Sequence, residues 1–231
     1  MSYVFTPPPV TSVPVLGSES QFPVHRIYCV GRNYEDHAKE MGFSGREAPF
    51  FFMKPADAVL VAAGGHSATL PYPSLTKNLH HEIELVVAIG KGGKNIKAAD
   101  ALQHIYGYAV GLDMTRRDLQ AEMKKQGRPW CVGKGFDHSA PIGPITLIAA
   151  AGDISQAEIS LQVNGEDRQR SQISKLIWNI AETIEHLSDA WELQPGDLIY
   201  TGTPEGVGAV VIGDTLTGAI TGLESIQIQV V

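Results

Sequence analysis

Several features that would decide a protein's class are scarce or missing here. The 231 residues include two cysteines, Cys29 and Cys131, and neither has a CxxC partner. That excludes a disulfide framework and predicts two reduced thiols in a cytoplasmic protein. No apolar run approaches the length of a membrane span. The N-terminus has prolines but no basic segment leading into an apolar stretch, so no secretory signal is expected. Positive charge is short as well: 18 Lys and Arg stand against 25 Asp and Glu, a net charge of −7. This balance argues against nucleic acid or an anionic membrane as the main partner. An anionic substrate would need local positive charge from a metal, Arg or Lys. There is no phosphate-binding loop, because the glycine-rich stretch Gly202-Thr203-Pro204-Glu205-Gly206-Val207-Gly208 lacks the Lys-Ser/Thr ending.

What is present reads as a soluble globular chain, 43% hydrophobic and 19% charged. Residues 1–24, rich in Pro, Ser, Thr and Val, form an extended N-terminal arm, and residues 25–231 form a single domain. Short strands dominate, with helices expected over 33–41, 97–105, 116–126 and 173–191. Asn33 and Thr115 are the expected N-caps of the first and third of these helices. Asn164-Gly165 marks a two-residue hairpin. Strands and helices do not alternate as in a parallel α/β fold, so the fold class is α+β and β-rich.

The chemistry centres on His80-His81-Glu82-Ile83-Glu84, which leads into the apolar run Leu85–Ile89. Side chains at i and i+2 share one face of a strand, so Glu82 and Glu84 would stand side by side. Two adjacent, partly buried carboxylates stay ionised only if a cation joins them. A lone E-x-E is otherwise the solvated end of a strand. Asp113, at the end of another expected strand, would complete a three-carboxylate site suited to Mg²⁺, Mn²⁺ or Ca²⁺ rather than zinc. His80 and His81 are expected to support that site rather than to ligate. His37 and Glu40, at i and i+3 of a helix, are either a base with its orienting partner or an ordinary surface pair. Lys134 lies between two glycines that would let a substrate approach. Arg117 and Gln120, one or two turns beyond Asp113, could hold a substrate carboxylate. The Gly202-Thr203 turn could offer backbone N–H groups to an anion.

These residues sit in blocks that resemble the fumarylacetoacetate hydrolase family. The blocks include Val30–Tyr34 with His37, Phe52–Pro55, His80–Glu84, Gly111–Gln120, Gly133–Phe136 and Gly196–Gly208. The resemblance implies a mixed β-roll or sandwich, a homodimer, and a site for Mg²⁺ (or Mn²⁺) made by Glu82, Glu84 and Asp113. It further implies a water-activating dyad of His37 and Glu40, an electrophilic Lys134, and substrate contacts at Arg117, Gln120 and Thr203. Arg32 or Lys54 would hold a distal carboxylate. The chain lacks the length for the extra N-terminal barrel of the larger members. It is therefore similar to the compact members that act on acylpyruvates, a 2-oxo acid class. Its early segment resembles the fumarylpyruvate hydrolases of gentisate-type aromatic degradation. Oxaloacetate decarboxylation and isomerisation of a 2-oxo diacid use the same constellation and remain open.

Overall fold

Strand Ile83–Ile89 has no polar face to turn to water. Apart from Glu84 its residues are apolar, and all seven are buried. Successive side chains of a strand point to opposite faces, so such a run needs cover on both sides. Ile83, Leu85, Val87 and Ile89 enter one core, while Val86 and Ala88 enter a second.

The structure is a computed structural model that describes residues 2–35, 46–63 and 65–231. Its large mixed sheet runs in the order Phe51–Lys54, Ile27–Val30, Leu198–Tyr200, Ile83–Ile89, Ile105–Leu112, Ala140–Ile142, Val59–Val61. Leu198–Tyr200 pairs parallel with Ile27–Val30, and Ala140–Ile142 with Val59–Val61; the other pairs along this path are antiparallel. A five-stranded sheet built on the hairpin Glu158–Val163 and Glu166–Gln172 covers one face. Its Ile159, Leu161, Val163 and Leu216 complete the first core. A hairpin of Ser12–Pro14 with Gln21–Pro23 brings Val13 and Phe22 into the second. The result is β-rich and α+β, as the residue pattern predicts, with the roll that the family resemblance implies.

Two helix expectations need correction, and a third, over 97–105, is met by a 3₁₀ helix. The apolar stripe from Ile173 to Leu187 is one buried face but not one helix. Ile173–Lys175 is a 3₁₀ turn, and the α-helix spans Ile180–Ala190. The break follows from competing partners: the Ile177 and Trp178 N–H groups go to the carbonyl and side chain of Asn33. Asn179 with Glu182 then makes a capping box that starts the helix afresh. The 3₁₀ helix that meets the 97–105 expectation spans Ala98–His104. Thr115 does not cap Arg117–Lys125; it lies in the short strand Thr115–Arg116, paired with Leu79–His80. The helix expected over 33–41 falls mostly outside the described residues.

Candidate active site

Strand register brings the three carboxylates together. Glu84 stands opposite Gly111 and Ile83 opposite Leu112, and the next N–H, that of Asp113, donates to the Glu82 carbonyl at 2.9 Å. Glu82 is not within a continuous strand as expected. It occupies a break between Leu79–His81 and Ile83–Ile89. The convergence survives the break: Glu82, Glu84 and Asp113 are buried, and one ligand oxygen from each lies within 4.8 Å of the others.

Three cations oppose these three anions. Lys134, at the end of the one-turn helix Cys131–Lys134, donates to Glu82 at 2.7 Å, Asp113 at 2.6 Å and the Thr115 hydroxyl at 2.7 Å. All three of its N–H donors are therefore committed. Burial works against the ammonium, but the charges of Asp113 and Glu82 outweigh it and raise the Lys134 pKa. Lys54 is fully buried, 2.8 Å from Asp113, and donates to the carbonyls of Met114 and Lys134. Arg117 pairs with Glu82 and donates to Gln120 and, at 3.4 Å, to His80. Glu84 differs from the other two carboxylates. It accepts the Gly202 N–H at 2.8 Å, and among the described residues no basic side chain pairs with it. Burial first, and then Asp113 and Glu82, push its pKa well above the ordinary value. A divalent cation among the three is the group that relieves this, and an all-carboxylate donor set suits Mg²⁺ or Mn²⁺.

The surroundings hold this geometry in place. Gly202, at φ +101°, leaves no room for a Cβ, which would meet that of Asn33 at 2.7 Å. Its N–H does meet an anion, as the turn suggested, but the anion is Glu84. Gly133 serves packing rather than substrate approach, because a Cβ there would lie 2.9 Å from the Gln120 nitrogen. His80 and His81 flank the carboxylate cluster, which consists of Glu82, Glu84 and Asp113. Burial and the charge of Arg117 push the His80 pKa down to about 4, so it stays neutral and can accept from Arg117. His81 donates to Gln169 at 2.9 Å.

Gln169 is a residue that sequence reasoning missed. Its oxygen also accepts the N–H of Ile83, the residue between the two glutamates, at 3.1 Å. Its nitrogen donates to the Thr203 hydroxyl and the Pro204 carbonyl, both at 2.8 Å. One carboxamide thus ties the Glu82–Glu84 backbone to the loop that carries Gly202. A signal was available: Glu166–Gln172 is polar throughout, yet a strand in a sandwich needs an inward residue, and Gln169 is the one buried there.

A cleft of about 200 Å³ opens beside the carboxylates, lined by Arg32, Glu82, Arg117, Gln120, Lys124 and Lys134 among others. Two expected substrate contacts stand elsewhere. Lys54 lies beneath Asp113, so it is corrected from a distal-carboxylate contact to a counter-charge for the site. The Thr203 hydroxyl is buried against Gln169 and is not part of the cleft wall. His37 and Glu40 lie outside the described residues.

A β-rich roll with a three-carboxylate cation site, opening on a cleft lined by Arg and Lys, defines a metal-dependent enzyme of small anions. The chain belongs to the fumarylacetoacetate hydrolase family: the family profile "Fumarylacetoacetate (FAA) hydrolase C-terminal" matches residues 26–231. The structure is similar to the crystal structure of fumarylpyruvate hydrolase from Pseudomonas aeruginosa in complex with Mn²⁺ and pyruvate. The TM-score is 0.98 at 57% identity, covering 100% of this chain and 99% of that one. A fumarylpyruvate hydrolase from a Ralstonia species is 48% identical over 184 residues, 80% of this chain and 93% of that protein. A mitochondrial oxaloacetate tautomerase, FAHD1 of Arabidopsis thaliana, is 42% identical over 205 residues, 89% of this chain and 90% of that protein.

Proposed function

We propose that this protein is a metal-dependent hydrolase that cleaves the C–C bond of an acylpyruvate, converting fumarylpyruvate to fumarate and pyruvate. The observation that carries this reading is the meeting of Glu82, Glu84 and Asp113 with Lys134 and Arg117 at one end of a cleft. Two fumarylpyruvate hydrolases among its relatives, one of them holding Mn²⁺ and pyruvate, support it. Glu82, Glu84 and Asp113 would hold Mg²⁺ or Mn²⁺, which would supply a Lewis acid for the 2-oxo acid end of the substrate. Arg117 and Gln120 orient that end. His37, the base the family resemblance implies with Glu40 as its partner, takes a proton from water as the oxygen adds to C4. The C3–C4 bond then breaks, fumarate keeps the added oxygen, and the electron pair passes to the pyruvate enolate, which is protonated at C3. Lys134 stabilises the developing enolate charge, and to meet it must give up one of its three present acceptors. The catalytic unit is residues 25–231. Homodimer formation and a place in gentisate breakdown belong to the same proposal through the family resemblance, cytoplasmic location through the two lone cysteines, and Mg²⁺ through the all-carboxylate donor set together with that resemblance.

A second reading has its own support in the oxaloacetate tautomerase relative. Enolisation, decarboxylation or isomerisation of a 2-oxo diacid needs no activated water at C4. His37→Ala in metal-loaded protein separates the readings. Fumarylpyruvate hydrolysis is expected to fall about 10²- to 10⁴-fold. Near-normal hydrolysis would remove His37 from the mechanism, and oxaloacetate turnover that dominates in both proteins would favour the second reading.

A further inference from the structure

His37 and Glu40 lie in the chain between Tyr34 and Arg46, and both flanking positions are tied to one stretch, Leu176–Glu182. On the first side, the buried Asn33 grips the backbone of Trp178. Its carboxamide oxygen accepts the Trp178 N–H at 2.7 Å, and its nitrogen donates to the Trp178 carbonyl at 2.9 Å. The Asn33 carbonyl accepts the Ile177 N–H at 2.8 Å, and Tyr34 pairs with Leu176. On the second side, the contacts are to the Trp178 side chain. The Arg46 guanidinium carbon is 3.9 Å from the centre of the indole, and the indole N–H donates to the Glu47 carbonyl at 3.1 Å. Arg46 also pairs with Glu182 at 2.6 Å. The other Glu182 oxygen accepts the Asn179 N–H at 3.0 Å, so the residue that completes the capping box also holds Arg46. Asn33 reaches the metal-site loop as well, donating to the Thr201 carbonyl at 2.8 Å, next to the Gly202 whose N–H meets Glu84.

An exposed ion pair and a surface cation–π contact add little to folding, and the Arg46 side chain is 50% exposed. What these contacts do is fix where the chain on both sides of residues 36–45 stands relative to Glu84. We propose that Trp178 and Arg46 form a clasp that positions the chain bearing His37 and Glu40 against the carboxylate site. Neither residue lines the cleft, so both are positioning residues. The inference rests on the hydrolase reading, in which His37 is the base. Positioning matters there because a displacement of about 1 Å can cost about 10²-fold in rate.

The test measures kcat and KM for fumarylpyruvate with Mn²⁺, and Mn²⁺ affinity by calorimetry. The proteins are wild type, Arg46→Met, Arg46→Lys, Trp178→Leu, His37→Ala and the double variant Arg46→Met/His37→Ala. Arg46→Met and Trp178→Leu should each lower kcat about tenfold, with KM and Mn²⁺ affinity near the wild-type values. Arg46→Lys, which keeps a cation over the indole, should restore most of kcat. The double variant should be no slower than His37→Ala, because the base whose place is at stake is already gone. Unchanged kcat in Arg46→Met, with His37→Ala impaired, would overturn this inference alone. So would a further tenfold loss in the double variant, or a matching loss of Mn²⁺ affinity, since either marks a general structural defect. Near-normal turnover by His37→Ala would overturn the role of His37 in the hydrolase reading and this inference with it.

Discussion

At the scale of single residues, the site is a problem in charge. Glu82, Glu84 and Asp113 are buried within reach of one another, and Lys134, Lys54 and Arg117 keep the arrangement tolerable. Removing one partner of a buried pair leaves an uncompensated charge, which costs about 3–5 kcal/mol. Lys134→Met, similar in shape but uncharged, should therefore abolish turnover and lower the unfolding free energy of metal-free protein by about that amount. Mn²⁺ should recover part of the loss, because a divalent cation supplies the missing charge. A thermal melt with and without Mn²⁺ checks this, and equal stability of variant and wild type in EDTA would count against it. The carboxylates and Lys134 were legible in the sequence because charged residues embedded in apolar or Gly-rich surroundings demand a partner. The roles of Lys54 and Thr203 were not legible. Nothing local distinguishes a lysine at a cleft mouth from one folded beneath Asp113.

At the scale of elements, the site depends on cross-links between segments distant in sequence. Gln169 joins the His81 ring and the Ile83 N–H to the Gly202 loop through four hydrogen bonds. Gln169→Leu should weaken Mn²⁺ binding measured by calorimetry and raise the metal concentration needed for half-maximal activity, while Gln169→Glu should preserve more of both. Unchanged metal affinity in the leucine variant would reduce Gln169 to a packing residue. Asp118 ties the start of helix Arg117–Lys125 to the 76–78 segment, accepting from Thr76 at 2.6 Å and from the N–H groups of Leu119 and Lys77. Its slight burial acts the other way, but these hydrogen bonds hold its pKa below the ordinary aspartate value. As pH falls, the unfolded chain binds the proton first. The stabilisation is therefore complete above the ordinary value and disappears as pH drops through the lower folded one. Asp118→Asn should lower stability at pH 7 by less than about 1 kcal/mol, given the exposure of the group. The difference from wild type should narrow as pH falls below the ordinary aspartate value in a series of urea melts. Element type was readable where period and capping agreed, as in the Asn164-Gly165 hairpin. It was misread at Ile173–Leu187, where an unbroken apolar stripe hid a capping box at Asn179.

At the scale of the whole molecule, one all-buried strand shared by two cores sets the depth of the site. The β-rich class followed from the spacing of short strands, but their order could not, because pairs such as Leu198–Tyr200 with Ile27–Val30 join segments far apart in the chain. The account's central claim is a metal-dependent hydrolytic cleavage at this site. Its most direct test is product analysis of purified protein given fumarylpyruvate or oxaloacetate, with Mg²⁺ or Mn²⁺ and with EDTA. The account predicts metal-dependent formation of equal amounts of fumarate and pyruvate from the first acid, little conversion of the second, and loss of both activities in EDTA. Efficient turnover of oxaloacetate with no fumarate formed from fumarylpyruvate, or cleavage that persists in EDTA, would contradict it.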